Sequence, residues 1–474
     1  MQFNSFAFLY FVIVVFTLYW SFARKVKVQN VILLAASYVF YGWWDWRFLF
    51  LIFASSMIDF ILAAKIFSAQ SKPKRKLFLT LSLTLNLGLL FFYKYFDFFA
   101  ASFIELCNTF GYHPDAFTTN VILPVGISFY TFQTLSYTID IYYKNLEPTR
   151  NIVSFFAYVS FFPQLVAGPI ERAKNLLPQF FAARFFDKKT ASAGLRLILY
   201  GLFKKIVIAD NLAATVESVY SSPEGAGSIS IIIATIFFGI QIYCDFSGYS
   251  DIAIGTARLF GFELMKNFKT PYLSFSFSEF WRRWHISLST WFRDYLYIPL
   301  GGNKNGVSKH IRNLVITFVV SGLWHGASWT FVAWGFLHAA FLSVETLLKI
   351  RTPQAKSFVN YIYAAFVFLA VMFLWIFFRA SSIGNAFLII DQLNNFQIGF
   401  NTAFVFPLSL DYTVLLLVLG GFIIIDVLIG KDDFSILAGS IPKVFRWILY
   451  YVLLFAIIFF GRYDAAPEFI YFQF

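Results

Sequence analysis

Apolar residues run along this chain in blocks close to the roughly 20 positions that an α-helix needs to cross a bilayer, and short basic stretches divide them. The first block, Phe3 to Phe22, has no basic residue before it and Arg24, Lys25 and Lys27 after it. That order is the reverse of a cleaved leader, so the helix is expected to stay, with its N-terminus outside the cytoplasm. Val28 to Trp44 then leads outward to Trp43, Trp44 and Trp46, an aromatic belt. Arg47 to Phe67 returns to the basic loop Lys72, Lys74, Arg75 and Lys76, and Leu77 to Ala100 goes out again.

The middle of the chain is less regular. Val121 to Tyr143 opens with Pro124 and Gly126, and Phe155 to Ile170 contains Pro163, Gly168 and Pro169. These interruptions predict broken or re-entrant helices, which are tolerated at membrane depth only where protein or a water-filled cavity surrounds them. Leu195 to Val216 and Ile229 to Tyr243 read as apolar helices. Phe246 to Gly302 mixes aromatics with Arg, Asp, Glu, Ser and His and reads as short helices lining an interior site. Spans follow over Leu314 to Phe331, Val332 to Leu348, Tyr361 to Phe378, Tyr412 to Ile429 and Val444 to Gly461. The pattern predicts a single all-α polytopic membrane domain over 1–474, with roughly 11–13 transmembrane or re-entrant helices at this helix length. Lys431, Lys443 and Arg446 precede or open the last helix, which places the tail 462–474 on the outer side.

Composition agrees. The 474 residues are 59% hydrophobic and 13% charged, where a soluble domain carries about 25% charged residues. The net charge of +12 would point to nucleic acid in a soluble protein. Here the basic residues sit in short loops, as the positive-inside rule requires, so the partner is the bilayer and no nucleic acid is expected. Cys107 and Cys244 form neither a disulfide framework nor a paired metal motif, and HExxH, GxSxG and P-loop patterns are absent. No metal and no permanently bound cofactor are expected.

The candidate chemistry lies in the histidines. Ionisable groups inside a membrane are costly and face interior cavities. His325 lies in Ser321-Gly322-Leu323-Trp324-His325-Gly326-Ala327-Ser328-Trp329. The GxxxG spacing of Gly322 and Gly326 fits close helix packing, with the histidine either a packed core residue or a base that this packing positions. Burial favours a neutral imidazole able to accept a proton. His285 lies in Trp281-Arg282-Arg283-Trp284-His285-Ile286-Ser287. Arg282, Arg283 and Arg293 are either cytoplasmic anchors or contacts to the phosphates of a nucleotide-bearing donor. His338 has no motif around it and reads as structural.

Trp324-His325-Gly326, Arg283-Trp284-His285-Ile286-Ser287 and Trp291-Phe292-Arg293-Asp294-Tyr295-Leu296-Tyr297 resemble motifs of the membrane-bound O-acyltransferase (MBOAT) family. The stretches Phe161 to Ile170 and Tyr243 to Asp251 also match, and together they are similar to its bacterial alginate O-acetyltransferase branch, related to the D-alanyl transfer protein of teichoic acids. The resemblance implies the MBOAT fold with helices around a central tunnel, and His325 and His285 as the catalytic histidines. It implies acetyl-CoA as cytoplasmic acyl donor and an extracytoplasmic SGNH-type partner carrying a serine. The acetyl group would end on a cell-surface or secreted polysaccharide such as alginate or peptidoglycan, and the chain would lie in the bacterial cytoplasmic (inner) membrane.

The tail Phe469-Ile470-Tyr471-Phe472-Gln473-Phe474 has the pattern F-x-Y-x-x-F, which in the teichoic-acid system lies on a separate small protein whose tyrosine carries the acyl group. By composition alone it reads as an aromatic terminus at the lipid interface. With the resemblance and its outer placement, Tyr471 is expected to be an acyl carrier; extended, the tail spans roughly 40 Å, enough to fold back into the protein. Two alternatives compete: a transporter or channel for the donor, with broken helices and buried histidines of its own, and a scaffold that only recruits the extracytoplasmic enzyme.

Overall fold

The computed structural model describes residues 1–115, 117–119, 121–166, 168–350, 357–394, 412–430, 432–463 and 469–470. Helices dominate, and no strand occurs among the described residues. The protein is an all-α polytopic membrane protein. Among the described residues, six helices are long and apolar enough to cross a bilayer, and a bent pair, Thr413–Ile429 with Phe434–Ser440, makes a seventh if it is one span. Two shorter apolar helices, Phe6–Ser21 and Val26–Gly42, precede them.

The chain forms two compact units. The first comprises Met1–Leu195 and Ala253–Met265, the second Arg196–Ile252 and Lys266–Phe474. In the first unit, Phe48–Ser68, Lys72–Leu90 and Ile127–Tyr142 pack together. Buried Asp59 on the first of these accepts hydrogen bonds from Ser82 Oγ at 2.6 Å and from Asn86 Nδ2 at 2.9 Å on the second. Each partner fills an acceptor site that burial would otherwise leave unsatisfied. The interruption expected in Phe155 to Ile170 is present: the helix Ile152–Val159 stops after eight residues, and irregular backbone follows. Its described residues from Phe161 to Ala173 are buried, as non-helical backbone at membrane depth must be.

In the second unit the observed helix ends correct two expectations. The series of short helices expected from Phe246 begins only after Leu259, because Ser228–Leu259 is one helix of 32 residues. Its polar stretch is absorbed by side-chain pairing: Lys204 Nζ lies 2.8 Å from Asp251, and Lys205 Nζ lies 2.6 Å from Asp245. Both lysines sit on a π-helical stretch, Phe203–Ala209, inside the helical run expected over Leu195 to Val216. Close backbone approach makes these pairs reachable. A Cβ at Gly201 would lie 2.6 Å from the carbonyl oxygen of Gly248, and one at Gly248 would lie 2.8 Å from that of Gly201.

The second correction concerns His325. Its helix runs Val307–His325 and the next runs Trp329–Leu347, so the break falls before Phe331 rather than after it. Ser328 causes it by capping the second helix, its Oγ accepting from the Thr330 N–H at 3.3 Å. Gly326 therefore lies outside the helix, and only Gly322 makes the tight backbone contact; a Cβ there would meet the Phe331 carbonyl oxygen at 2.2 Å. His325 is the last residue of its helix rather than a mid-helix position.

Candidate acyl-transfer site

Local sequence explains how each histidine is held. Phe277–Arg283 is a helix of seven residues whose N-cap, Ser276, accepts from Glu279 N–H at 3.0 Å. A second short helix, Ile286–Phe292, follows at once. His285 forms the joint between them and adopts a left-handed backbone, φ 42° and ψ 54°. A residue with a Cβ rarely occupies that region, and such positions cluster where structure around them over-determines the geometry. Asn267 supplies that determination. Its carbonyl oxygen accepts from Ile286 N–H at 2.9 Å, its Oδ1 accepts from Ser287 N–H at 3.3 Å, and its Nδ2 donates to Ser250 Oγ at 3.1 Å.

The two rings come together. The imidazoles of His285 and His325 have centroids 6.3 Å apart. Phe246 and Trp324 pack on His285 at 4.6 Å and 5.9 Å, and Trp334 and Phe378 pack on His325 at 5.1 Å and 5.4 Å. His285 is fully buried and His325 is 3% exposed. His285 lies outside the six spanning helices, and burial pushes its pKa well below the ordinary imidazole value, so it is neutral at physiological pH. His338 completes the cluster: its Nδ1 accepts from Trp281 Nε1 at 3.3 Å, and its ring packs 4.8 Å from Trp334.

A cavity of about 450 Å³ is lined by sequence neighbours of this pair, and its volume is within the 300–1,000 Å³ usual for small-molecule sites. Arg282 and Arg293 stand at its exposed side; Trp281, Phe292, Thr317 and Ser321 form its buried side. Ile286, next to His285, and Ser321, one helical turn before His325, both line it. Neither imidazole is in its wall. Arg283 is turned away from the cavity, forming an ion pair with Glu279 and donating to Thr270. Of the three arginines read from sequence, the structure thus gathers two at the cavity. Tyr471 lies outside the described residues.

The family model for membrane-bound O-acyltransferases matches residues 143–383. The chain is 40% identical to a probable alginate O-acetylase of Azotobacter vinelandii, over 81% of this chain and 75% of that protein. It belongs to the membrane-bound O-acyltransferase family. A peptidoglycan O-acetyltransferase of Helicobacter pylori is 35% identical over 77% of this chain and 74% of that protein. A teichoic acid D-alanyltransferase of Streptococcus thermophilus is 28% identical over 48% of this chain and 58% of that protein. Both histidines fall inside the family match. The protein is a membrane O-acyltransferase, and the transporter and scaffold alternatives lose their ground.

Sequence reading missed the lysines. Lys204 and Lys205 stand side by side in an apolar run, and the rule that singled out the histidines, that a membrane ionisable group has a job, applies to them equally. Asn267 carries no such signal, since a lone Asn in a loop is ordinary.

Proposed function

We propose that this membrane O-acetyltransferase takes an acetyl group from a cytoplasmic thioester, acetyl-CoA, and delivers it outward for O-acetylation of a cell-surface or secreted polysaccharide. The observation that carries the reading is the pair of buried, adjacent imidazoles, with a cavity whose lining includes two arginines and also Ile286 and Ser321, one and four positions from those histidines. The segment that follows Tyr297 carries Lys304, Lys309 and Arg312, which by the positive-inside rule favours a cytoplasmic entrance. Arg282 and Arg293 would meet the donor's phosphates, for which a guanidinium fork is suited, and the apolar wall would receive the thioester arm.

In the chemical step His325 takes the proton of the attacking hydroxyl, assigned to Tyr471. The phenolic oxygen bonds to the thioester carbonyl carbon, the carbon–sulfur bond breaks, and the departing thiolate recovers the proton from the imidazolium. The products are acetyl-tyrosine and free coenzyme A. A phenol of pKa about 10 suits this role better than a sugar hydroxyl, which gives up its proton far less readily. His285, neutral through burial, would donate to the carbonyl oxygen as it becomes negative, as oxyanion donors do. The acetyl group then passes to the serine of an extracytoplasmic SGNH-type partner and from there to the polymer. The relatives acting on alginate and peptidoglycan by name support such a polymer as final acceptor.

Intact-protein mass spectrometry after adding acetyl-CoA tests the carrier step. One acetyl adduct is expected on the wild-type chain and none on Tyr471→Phe. An adduct that persists in that variant removes the carrier and leaves direct transfer to the partner serine.

A further inference from the structure

The buried charges of the second unit do more than neutralise one another. Lys205 Nζ lies 2.8 Å from Asp210 and 2.6 Å from Asp245, and all three side chains are at most 3% exposed. Two carboxylates therefore share one ammonium, because the neighbouring Lys204 is engaged with Asp251 and Ser247. A buried carboxylate needs its oxygens occupied. At Asp245 the second oxygen is occupied by the far end of the chain: the backbone N–H of Ile470 donates to Oδ2 at 2.8 Å.

The tail touches this region at two places. Where it leaves the last helix, Arg462 N–H donates to the Ile206 carbonyl oxygen at 3.3 Å, and its guanidinium donates to the Asp210 carbonyl oxygen at 3.4 Å. Further on, Phe469 is fully buried, its ring 4.5 Å from Tyr249 and 5.6 Å from Phe246. Phe246 is the residue whose ring packs on His285. Chain termini ordinarily fray unless something ties them down. Here an aromatic side chain fills a pocket and the next backbone N–H meets a carboxylate held in place by a lysine.

We infer that Asp245, oriented by Lys205 and Asp210, is the docking latch that holds the tail at Phe469 and Ile470, the residues that precede Tyr471 in the sequence. The latch is a positioning device: it acts through the tail that it holds. Its catalytic consequence rests on the carrier reading given above, while the docking itself does not. A structural ion cluster with no docking role would place the same charges without needing the tail's N–H.

Hydrogen exchange read by mass spectrometry on the full-length chain in nanodiscs, without donor, separates the two. Ile470→Pro removes the donor N–H and leaves every buried charge in place. The amides of the tail are expected to exchange at least tenfold faster in this variant, and Ile470→Val, which keeps the N–H, is expected to restore wild-type protection. Tail exchange at the wild-type rate in Ile470→Pro overturns the latch. So does fast exchange in Ile470→Val, since side-chain packing rather than the carboxylate would then hold the tail. The carrier reading fails by a different measurement, the persistence of the acetyl adduct in Tyr471→Phe, which leaves the exchange result standing.

Discussion

Two buried polar regions of the second unit are built on opposite principles. Around Lys204 and Lys205 the groups are charged and held by direct ion pairs at 2.6–2.8 Å. Around His285 and His325 the walls are aromatic rings, with Phe246, Trp324, Trp334 and Phe378 in contact. The difference suits the roles proposed for the two regions. Paired buried charges resist rearrangement, because breaking a pair strands an ion in low dielectric. A base that gains and loses a proton in each turnover, the role proposed for His325, is better placed among aromatic rings than in a fixed ion pair.

That contrast breaks in measurable ways. The largest effect is expected at His325. His325→Ala should lower coenzyme A release by about 10²–10⁴, the range for loss of a general base; a folded variant that turns over normally would sink the assigned role. Next comes His285, where Asn tolerates a left-handed backbone better than most residues with a side chain. His285→Asn should keep the fold, read by an unchanged elution profile and circular dichroism. It should lose about 10²–10³ in kcat, as removal of an oxyanion donor does.

On the charged side the loss should appear in stability. Lys205→Met leaves Asp210 and Asp245 facing each other unpaired and should destabilise the protein by about 3–5 kcal/mol, read as a clear fall in Tm in detergent. If Tm holds, the triad is not the rigid element described. The smallest effect belongs to the cavity entrance. Arg282→Gln and Arg293→Gln should each raise KM for acetyl-CoA by up to about tenfold with kcat little changed, since a phosphate contact remote from the reacting carbon contributes equally to ground and transition states. An effect on kcat alone would move these arginines away from donor binding.

Much of this was legible beforehand. The apolar blocks marked a polytopic helical protein, and Pro163, Gly168 and Pro169 marked the stretch where helix gives way to buried irregular backbone. The histidines stood out because charge-capable side chains are rare in such runs. Three features were not legible. Whether the helix continued beyond His325 depended on Ser328 acting as a cap rather than as one more helical residue. The side chain of Arg283 turned to Glu279, four residues earlier on the same short helix, while its neighbour Arg282 faced the cavity; the two look alike in the sequence. The lysine pair escaped because two of its partners, Asp251 and Asp245, lie 40 or more residues further along the chain.

The sequence alone determined the solvent in which this protein folds, the helical class and the family, since these rest on local composition, periodicity and motifs read in order. Only the tertiary structure decided which ionisable groups meet. Helix faces are set by a periodicity visible in any window of residues. The partner of a buried lysine or histidine depends on which backbones come within reach, as the Gly201–Gly248 contact shows, and that is a property of the packed chain as a whole.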